Sequence, residues 1–313
     1  MLRPAQSSRN VVVMTELRRD PVSGRIVIVA ERRAVRPHTI AAARPDREGG
    51  EACPFCRGNE AMTPPEIART GAGEPGDHRW EVRVFPNLYP VTEAHEVVVL
   101  SPDHERSFAR LSDEQAIAVM QVLRDRVHTR LVDGLPYAVA FVNHRRAAGA
   151  SIAHPHAQVV GLDFVPPYVE RVGNRQASVR DDLVDRDTAC ARQHALVVDE
   201  HDTITWCPFA SVVPFQVRVV DPGAGPRFDD ASDAAIAAVA RTTRRALERL
   251  SDVLDDPPYN LVVHTAGRES PAWPRWHVDI TPRVSIPAGF EQATGVLVNT
   301  VSPESAASEL RAS

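Results

Sequence analysis

One stretch concentrates the side chains that can do chemistry: Gly149-Ala150-Ser151-Ile152-Ala153-His154-Pro155-His156-Ala157-Gln158, running into the apolar Val159-Val160-Gly161-Leu162. Imidazole is nucleophilic, exchanges protons near neutral pH and binds metals, and a neighbouring amide can donate to an anion. In an extended chain the period of two places His154, His156 and Gln158 on one face of a strand. An isolated pair of histidines can equally sit on a solvated strand edge. The context points inward: the small residues Gly149-Ala150-Ser151 let backbone approach a ligand, and the strand that follows is hydrophobic, so the row borders a pocket beside an apolar core.

A second constellation is Cys53-Pro54-Phe55-Cys56. Its spacing suits a redox pair or a zinc knuckle. Redox pairs usually open a helix after a strand, whereas this one lies between the polar loop 44–51 and a second loop, Arg57-Gly58-Asn59-Glu60, so zinc is the better reading. With no second CxxC, histidines elsewhere must complete the site. The other cysteines, Cys190 and Cys207, do not make a disulfide scaffold in a chain of 313 residues.

The elements that position these residues follow from the pattern along the chain. Arg25 to Val29, Trp80 to Val84, His95 to Leu100 and Tyr137 to Asn143 read as strands, and Ser112 to Leu131 carries Ile117, Met120, Leu123, Val127 and Leu131 at helical spacing. The pattern then returns. Val219-Val220-Asp221-Pro222, Phe228 and Ser232-Asp233 match Val99-Leu100-Ser101-Pro102, Phe108 and Ser112-Asp113 at an offset of 120 (232 − 112). Tyr259 to Thr265 matches Tyr137 to Asn143, and His277-Val278-Asp279 matches His154-Pro155-His156, so the chain is a duplication. This alignment puts Asp279 at the place of His156 and Ala224 at that of His104, which assigns the chemistry to the first half, residues 1–165, and leaves 166–313 as scaffold or substrate wall.

Composition narrows the partner. Hydrophobic residues make up 43% and charged residues 25%, the net charge is −5, and every fixed positive side chain is an arginine, since no lysine occurs. No basic cluster dominates, which argues against nucleic acid and favours a small molecule. No apolar run approaches the ~18 residues of a membrane span, and the N-terminus lacks a signal-peptide pattern, so a cytoplasmic, membrane-free protein is expected.

Taken together, Arg18-Arg19-Asp20-Pro21-Val22-Ser23-Gly24, Cys53-Pro54-Phe55-Cys56, Arg83-Val84-Phe85-Pro86-Asn87, Ser101-Pro102-Asp103-His104, Asn143, the Ser151 loop, His154-Pro155-His156-Ala157-Gln158 and Ala288-Gly289-Phe290-Glu291 carry a resemblance. The chain resembles the galactose-1-phosphate uridylyltransferase family, the two-repeat transferase branch of the histidine triad superfamily, from about Glu16 to Leu310. The resemblance implies an α+β fold of two tandem histidine-triad-like repeats, whose antiparallel sheets and covering helices form one larger half-barrel-like sheet.

It also implies a ping-pong reaction in which His156 attacks the α-phosphorus of a nucleotide sugar, with Gln158 donating to a phosphate oxygen. Histidine triad hydrolases carry a third histidine where Gln158 stands, so transfer is favoured over hydrolysis. Arg33, Arg36, Asn87, Asn143 and Ser151 match substrate-binding positions, Phe290 and Glu291 match a hexose-recognising segment, and a structural zinc maps to Cys53, Cys56, His104 and His154. Some members hold a second metal with a His-x-His pair, which here reads His277-Val278-Asp279, with His264 retained and Glu170 loosely placed. Uridylyl transfer between UDP-glucose and galactose 1-phosphate is the favoured activity, and adenylyl-sugar phosphorolysis, suggested by Val298-Asn299-Thr300, is the alternative; a zinc-stabilised nucleotide binder without catalysis is a third.

The resemblance further implies a homodimer whose sites are completed across the interface by Arg33, Arg36 and the Glu291 segment. Hybrids of His156→Asn and Glu291→Ala chains, each inactive alone, should then recover activity. A monomer mass in light scattering, or silent hybrids, would defeat the expectation.

Overall fold

The computed structural model describes residues 15–31, 33, 53–270 and 272–313. In chain order its elements begin with β1 (Glu16–Arg19), β2 (Ile26–Val29), β3 (Ala68–Gly71), β4 (Trp80–Pro86), β5 (His95–Val99), α1 (Asp113–Val132), β6 (Tyr137–His144) and β7 (His156–Leu162). They continue with α2 (Pro167–Ala177), α3 (Leu183–Gln193), β8 (Val197–Glu200), β9 (Ile204–Trp206), β10 (Val217–Val220), α4 (Asp233–Leu254), β11 (Tyr259–His264) and β12 (His277–Pro282). The last are α5 (Gly289–Thr294), β13 (Leu297–Asn299) and α6 (Pro303–Ala312). Arg36 and the chain around it lie outside the described residues.

The repeated Ser-Asp of the sequence has a physical meaning. Ser112 and Ser232 are N-caps: their side chains accept the N–H of Gln115 and of Ala235, and Asp113 and Asp233 put a carboxylate in the first turn of α1 and α4. Both devices satisfy amides that the helix start leaves unpaired and complement its dipole.

Ten strands form one antiparallel sheet in the order β3-β4-β5-β7-β6-β11-β12-β10-β9-β8. The order is a palindrome about the β6–β11 pair, where Phe141 faces Val262 and His144 faces Tyr259. Each half repeats the other, and the two sheets fuse through their central strands. On one face Val98, Ala140, Val142, Ala157 and Val159 meet Val119, Met120, Leu123 and Val127 of α1. Leu261, Val263, Val278 and Ile280 meet Ile236, Val239, Leu247 and Leu250 of α4 in the same continuous core. Alternation then sends His156, Gln158, His277 and Asp279 to the opposite face. The α+β architecture with two helix-covered repeats is as the sequence predicts. Among the described residues no helix is long and apolar enough to cross a membrane. A separate small sheet joins segments far apart in the chain, where β2 pairs with β1 antiparallel and with β13 in parallel.

The strands correct one detail of the duplication. β7 opens at His156 and β12 at His277, and each histidine holds its Nδ1 near the carbonyl two residues before it: 2.9 Å to His154 and 3.0 Å to Arg275. At the level of the sheet His277, not Asp279, therefore stands where His156 stands, at an offset of 121 (277 − 156), and Asp279 takes the place of Gln158. The loops between the repeated motifs absorb the difference, which is why motif matching alone shifts the register.

In this second half the corresponding face holds a buried cluster of ion-paired side chains. The buried Arg218 of β10 donates Nε and Nη2 to the two oxygens of Asp279 at 2.6 and 2.8 Å and Nη1 to Asp187 of α3 at 2.8 Å. Trp206 Nε1 donates to the same Asp187 oxygen at 2.9 Å. Burial alone would push Asp279 up, but the Arg218 guanidinium holds it well below the usual carboxylate range. Arg218→Met should strand two buried carboxylates and cost about 3–5 kcal/mol, measured as a lower urea midpoint at unchanged slope. A loss below about 1 kcal/mol would show that the cluster does not secure this half.

Candidate functional site

His154 precedes β7 and is fully buried. Its Nε2 lies 2.9 Å from the carbonyl of Ser101, so Nε2–H donates there and the Nδ1 lone pair turns toward the cysteine loop. That nitrogen is 3.8 Å from Cys53 Sγ and 3.5 Å from Cys56 Sγ, while His104 Nδ1 is 3.3 Å from Cys56 Sγ. One ligand atom from each of the four residues lies within 4.8 Å of the others. Tetrahedral zinc, with Zn–S near 2.3 Å and Zn–N near 2.0–2.1 Å, would set sulfur and nitrogen ligands roughly 3.6 Å apart. The residues fit such an ion, and the Ser101 carbonyl is the outer partner that orients a ligating imidazole. The structure thus brings together Cys53, Cys56, His104 and His154 as the sequence predicts.

The polar row divides by task. His154 turns to the cysteines, whereas His156, 5% exposed, directs Nδ1–H to the backbone oxygen of His154 and leaves the Nε2 lone pair without a hydrogen-bond partner among the described residues. Burial pushes its pKa below the usual imidazole value, only partly offset by that carbonyl, so the ring is neutral at pH 7. Phe55 packs edge-on against it, ring centroids 5.3 Å apart, which ties the cysteine loop to the candidate nucleophile.

Gln158 lies opposite Phe141 of β6, so Asn143, two residues farther along β6, shares the face of His156 and Gln158. Asn143 Oδ1 accepts from Asn260 Nδ2 at 2.8 Å, and Asn260 also donates to the Ala148 carbonyl at 2.8 Å, holding the loop that leads to Ser151. Gly149 ends a short 3-10 turn at φ 98°, a left-handed backbone that glycine adopts without strain. Ser151 is exposed. Asn87 bonds Tyr89 N–H through Oδ1 and stands beside His95. Sequence reasoning missed His95 and Asn260 as site residues. His95, Val97 and Val99 alternate on the strand beside β7, and that alternation was the available signal for His95.

Other candidates lie at the periphery. Arg33 is exposed. Phe290 is 49% exposed, and Glu291 accepts the N–H of Ala288 at 2.9 Å, a local capping role at the start of α5. Asn299, in the segment that suggested phosphorolysis, is buried and donates to the carbonyls of Ser211 and Val213, which makes it structural. His264, His277 and Asp279 also bring ligand atoms within 4.8 Å. They do not fit a second metal: both Asp279 oxygens already hold Arg218, whose positive charge would face the cation.

Residues 84–166 match the family model for the galactose-1-phosphate uridyl transferase N-terminal domain. ADP-glucose phosphorylase of Arabidopsis thaliana is 29% identical over 332 residues, covering 95% of this chain and 92% of that protein. A crystal structure of an ADP-glucose phosphorylase from the same plant with bound ADP-glucose superposes with a TM-score of 0.82 at 27% identity, covering 95% of this chain and 98% of that one. Over nearly its whole length the chain is thus similar to proteins of the galactose-1-phosphate uridylyltransferase-like group, and residues 84–166 carry that family's N-terminal domain pattern. Galactose-1-phosphate uridylyltransferase of Streptomyces lividans is 30% identical over 164 residues, 50% of this chain and 40% of that protein.

Metal and acid should act on the protein through the same residues. Cys53→Ser and His104→Ala should each lose bound metal by elemental analysis and melt lower. Burial pushes His154 down to about 4, whereas an unfolded imidazole titrates near ~6.5. The unfolded chain therefore binds more protons in that window, and stability should fall as pH drops from about 6.5 toward about 4. A melting temperature that is flat across this range would contradict the neutral, buried state of His154.

Proposed function

We propose that the protein moves a nucleotidyl group from a nucleoside diphosphate sugar through a covalent adduct on His156 Nε2, with an ADP-sugar as donor and inorganic phosphate as acceptor. The carrying observation is the His156 tether: with Nδ1–H held by the His154 carbonyl, the neutral ring presents its Nε2 lone pair. Nε2 attacks the α-phosphorus, a P–N bond forms, the bond to the bridging oxygen breaks, and sugar 1-phosphate leaves. Positive charge on the ring strengthens the Nδ1–H bond to the carbonyl. Gln158 donates an amide hydrogen to a non-bridging oxygen, and a phosphate oxygen then attacks the adduct, breaks the P–N bond and departs as nucleoside diphosphate.

Asn87, Asn143, Ser151, Arg33 and Arg36 contact the phosphates and nucleoside, and Phe290 and Glu291 contact the sugar, the latter two and the arginines from the partner of a homodimer. Zinc at Cys53, Cys56, His104 and His154 is structural, and by immobilising His154 it fixes the carbonyl that holds His156. The similarity to ADP-glucose phosphorylase over 95% of the chain supports the adenylyl donor. Uridylyl transfer between UDP-glucose and a hexose 1-phosphate is the second reading, favoured by the uridyl transferase domain match over residues 84–166.

Incubation with ADP-glucose, and separately with UDP-glucose, followed by native-pH mass analysis, should reveal an AMP adduct that phosphate discharges. His156→Asn should form none while retaining its metal and fold. A UMP adduct alone would establish the second reading, and no adduct from either donor would refute nucleotidyl transfer by this chain.

A further inference from the structure

His95 is 5% exposed and lies on β5, one register step diagonal from Gln158, since Val97 pairs with Gln158 and His95 with Val160. Three groups meet its ring. Val91 N–H donates to Nδ1 at 3.1 Å, Gln158 Oε1 lies 2.8 Å from Nε2, and Asn87 Nδ2 lies 3.1 Å from Nε2. The first contact decides the rest. A backbone N–H can only donate, so Nδ1 must be the acceptor, and a neutral ring with an acceptor at Nδ1 carries its proton on Nε2. That Nε2–H requires an acceptor, so the neighbouring end of Gln158 must be its oxygen, whichever way the amide is drawn. Asn87 turns its NH2 group to the ring, because its oxygen accepts Tyr89 N–H at 2.8 Å, but that group makes no hydrogen bond with Nε2–H; the Val91 bond at Nδ1 and the shorter Gln158 contact at Nε2 set the tautomer.

We infer that His95 is a positioning residue for the transfer reaction: it grips the Gln158 oxygen and so turns the Gln158 NH2 group toward the phosphate that reacts at His156. Left free, a glutamine amide can rotate and offer its oxygen to the phosphate, where like charges repel. The device also couples the site to the 87–95 loop, since Asn87 N–H donates to the His95 carbonyl at 2.8 Å and Val91 fixes the ring. The inference rests on the proposed role of Gln158, and the test separates the two.

The rate of nucleotidyl adduct formation would be measured for His95→Leu, His95→Gln, Gln158→Ala and the double variant His95→Leu/Gln158→Ala, with melting temperature and metal content as controls. His95→Leu should slow adduct formation by about 10–100-fold at nearly unchanged KM, and His95→Gln, which can still donate to the Gln158 oxygen, should recover part of the loss. If His95 acts through Gln158, the double variant is no slower than Gln158→Ala. Multiplying effects, or a wild-type rate in folded His95→Leu, would overturn the positioning role, whereas a wild-type rate in Gln158→Ala would overturn the proposed role of Gln158 itself. Should His95→Leu not fold, ¹⁵N-histidine NMR of the unaltered protein decides: the Nε2–H tautomer of His95 supports the inference, and Nδ1–H refutes it.

Discussion

His154 is held at three points, and the site depends on that. Its Nε2–H is anchored on the Ser101 carbonyl, its Nδ1 faces the thiols of Cys53 and Cys56, and its own carbonyl receives His156. A single residue thus joins the cysteine loop, the turn after β5 and the first residue of β7. Since a carbonyl on an untethered loop would leave the ring of His156 free to turn, the Cys2His2 cluster bears on the reaction proposed for His156 without touching a substrate: it removes rotational freedom at that ring.

The duplicated sheet shows how one backbone supports two outcomes. His156 and His277 open equivalent strands and carry the same carbonyl tether, yet their neighbours differ. Beside His156 stands Gln158, a neutral donor whose oxygen is occupied by His95. Beside His277 stands Asp279, an anion saturated by Arg218. A carboxylate at that position repels phosphate, and a buried guanidinium bonded to two carboxylates costs too much to release. The second half therefore contributes the remainder of a continuous core and the strand that pairs with β6, while the first half keeps an uncharged polar face.

Much of this was legible in the sequence. The period-two row gave the strand and the shared face of His156 and Gln158, though His154 lies before the strand and turns to the cysteines, the Ser-Asp repeats marked two helix starts, and the CxxC with two unplaced histidines anticipated the ligand cluster, because these features depend on local alternation, capping and ligand chemistry. Whether His277 or Asp279 stands in for His156 was decided by the tertiary structure, since cross-strand pairing, and not the spacing of anchors, sets which side chain reaches a given face. The tautomer of His95, the service of Asn260 to the Ser151 loop and the ion-paired cluster around Arg218 in the second half also lay beyond the sequence. Each rests on partners far apart in the chain, Asn260 with Asn143 or Arg218 with Asp279, and a hydrogen bond is a statement about distance in space that no local pattern encodes.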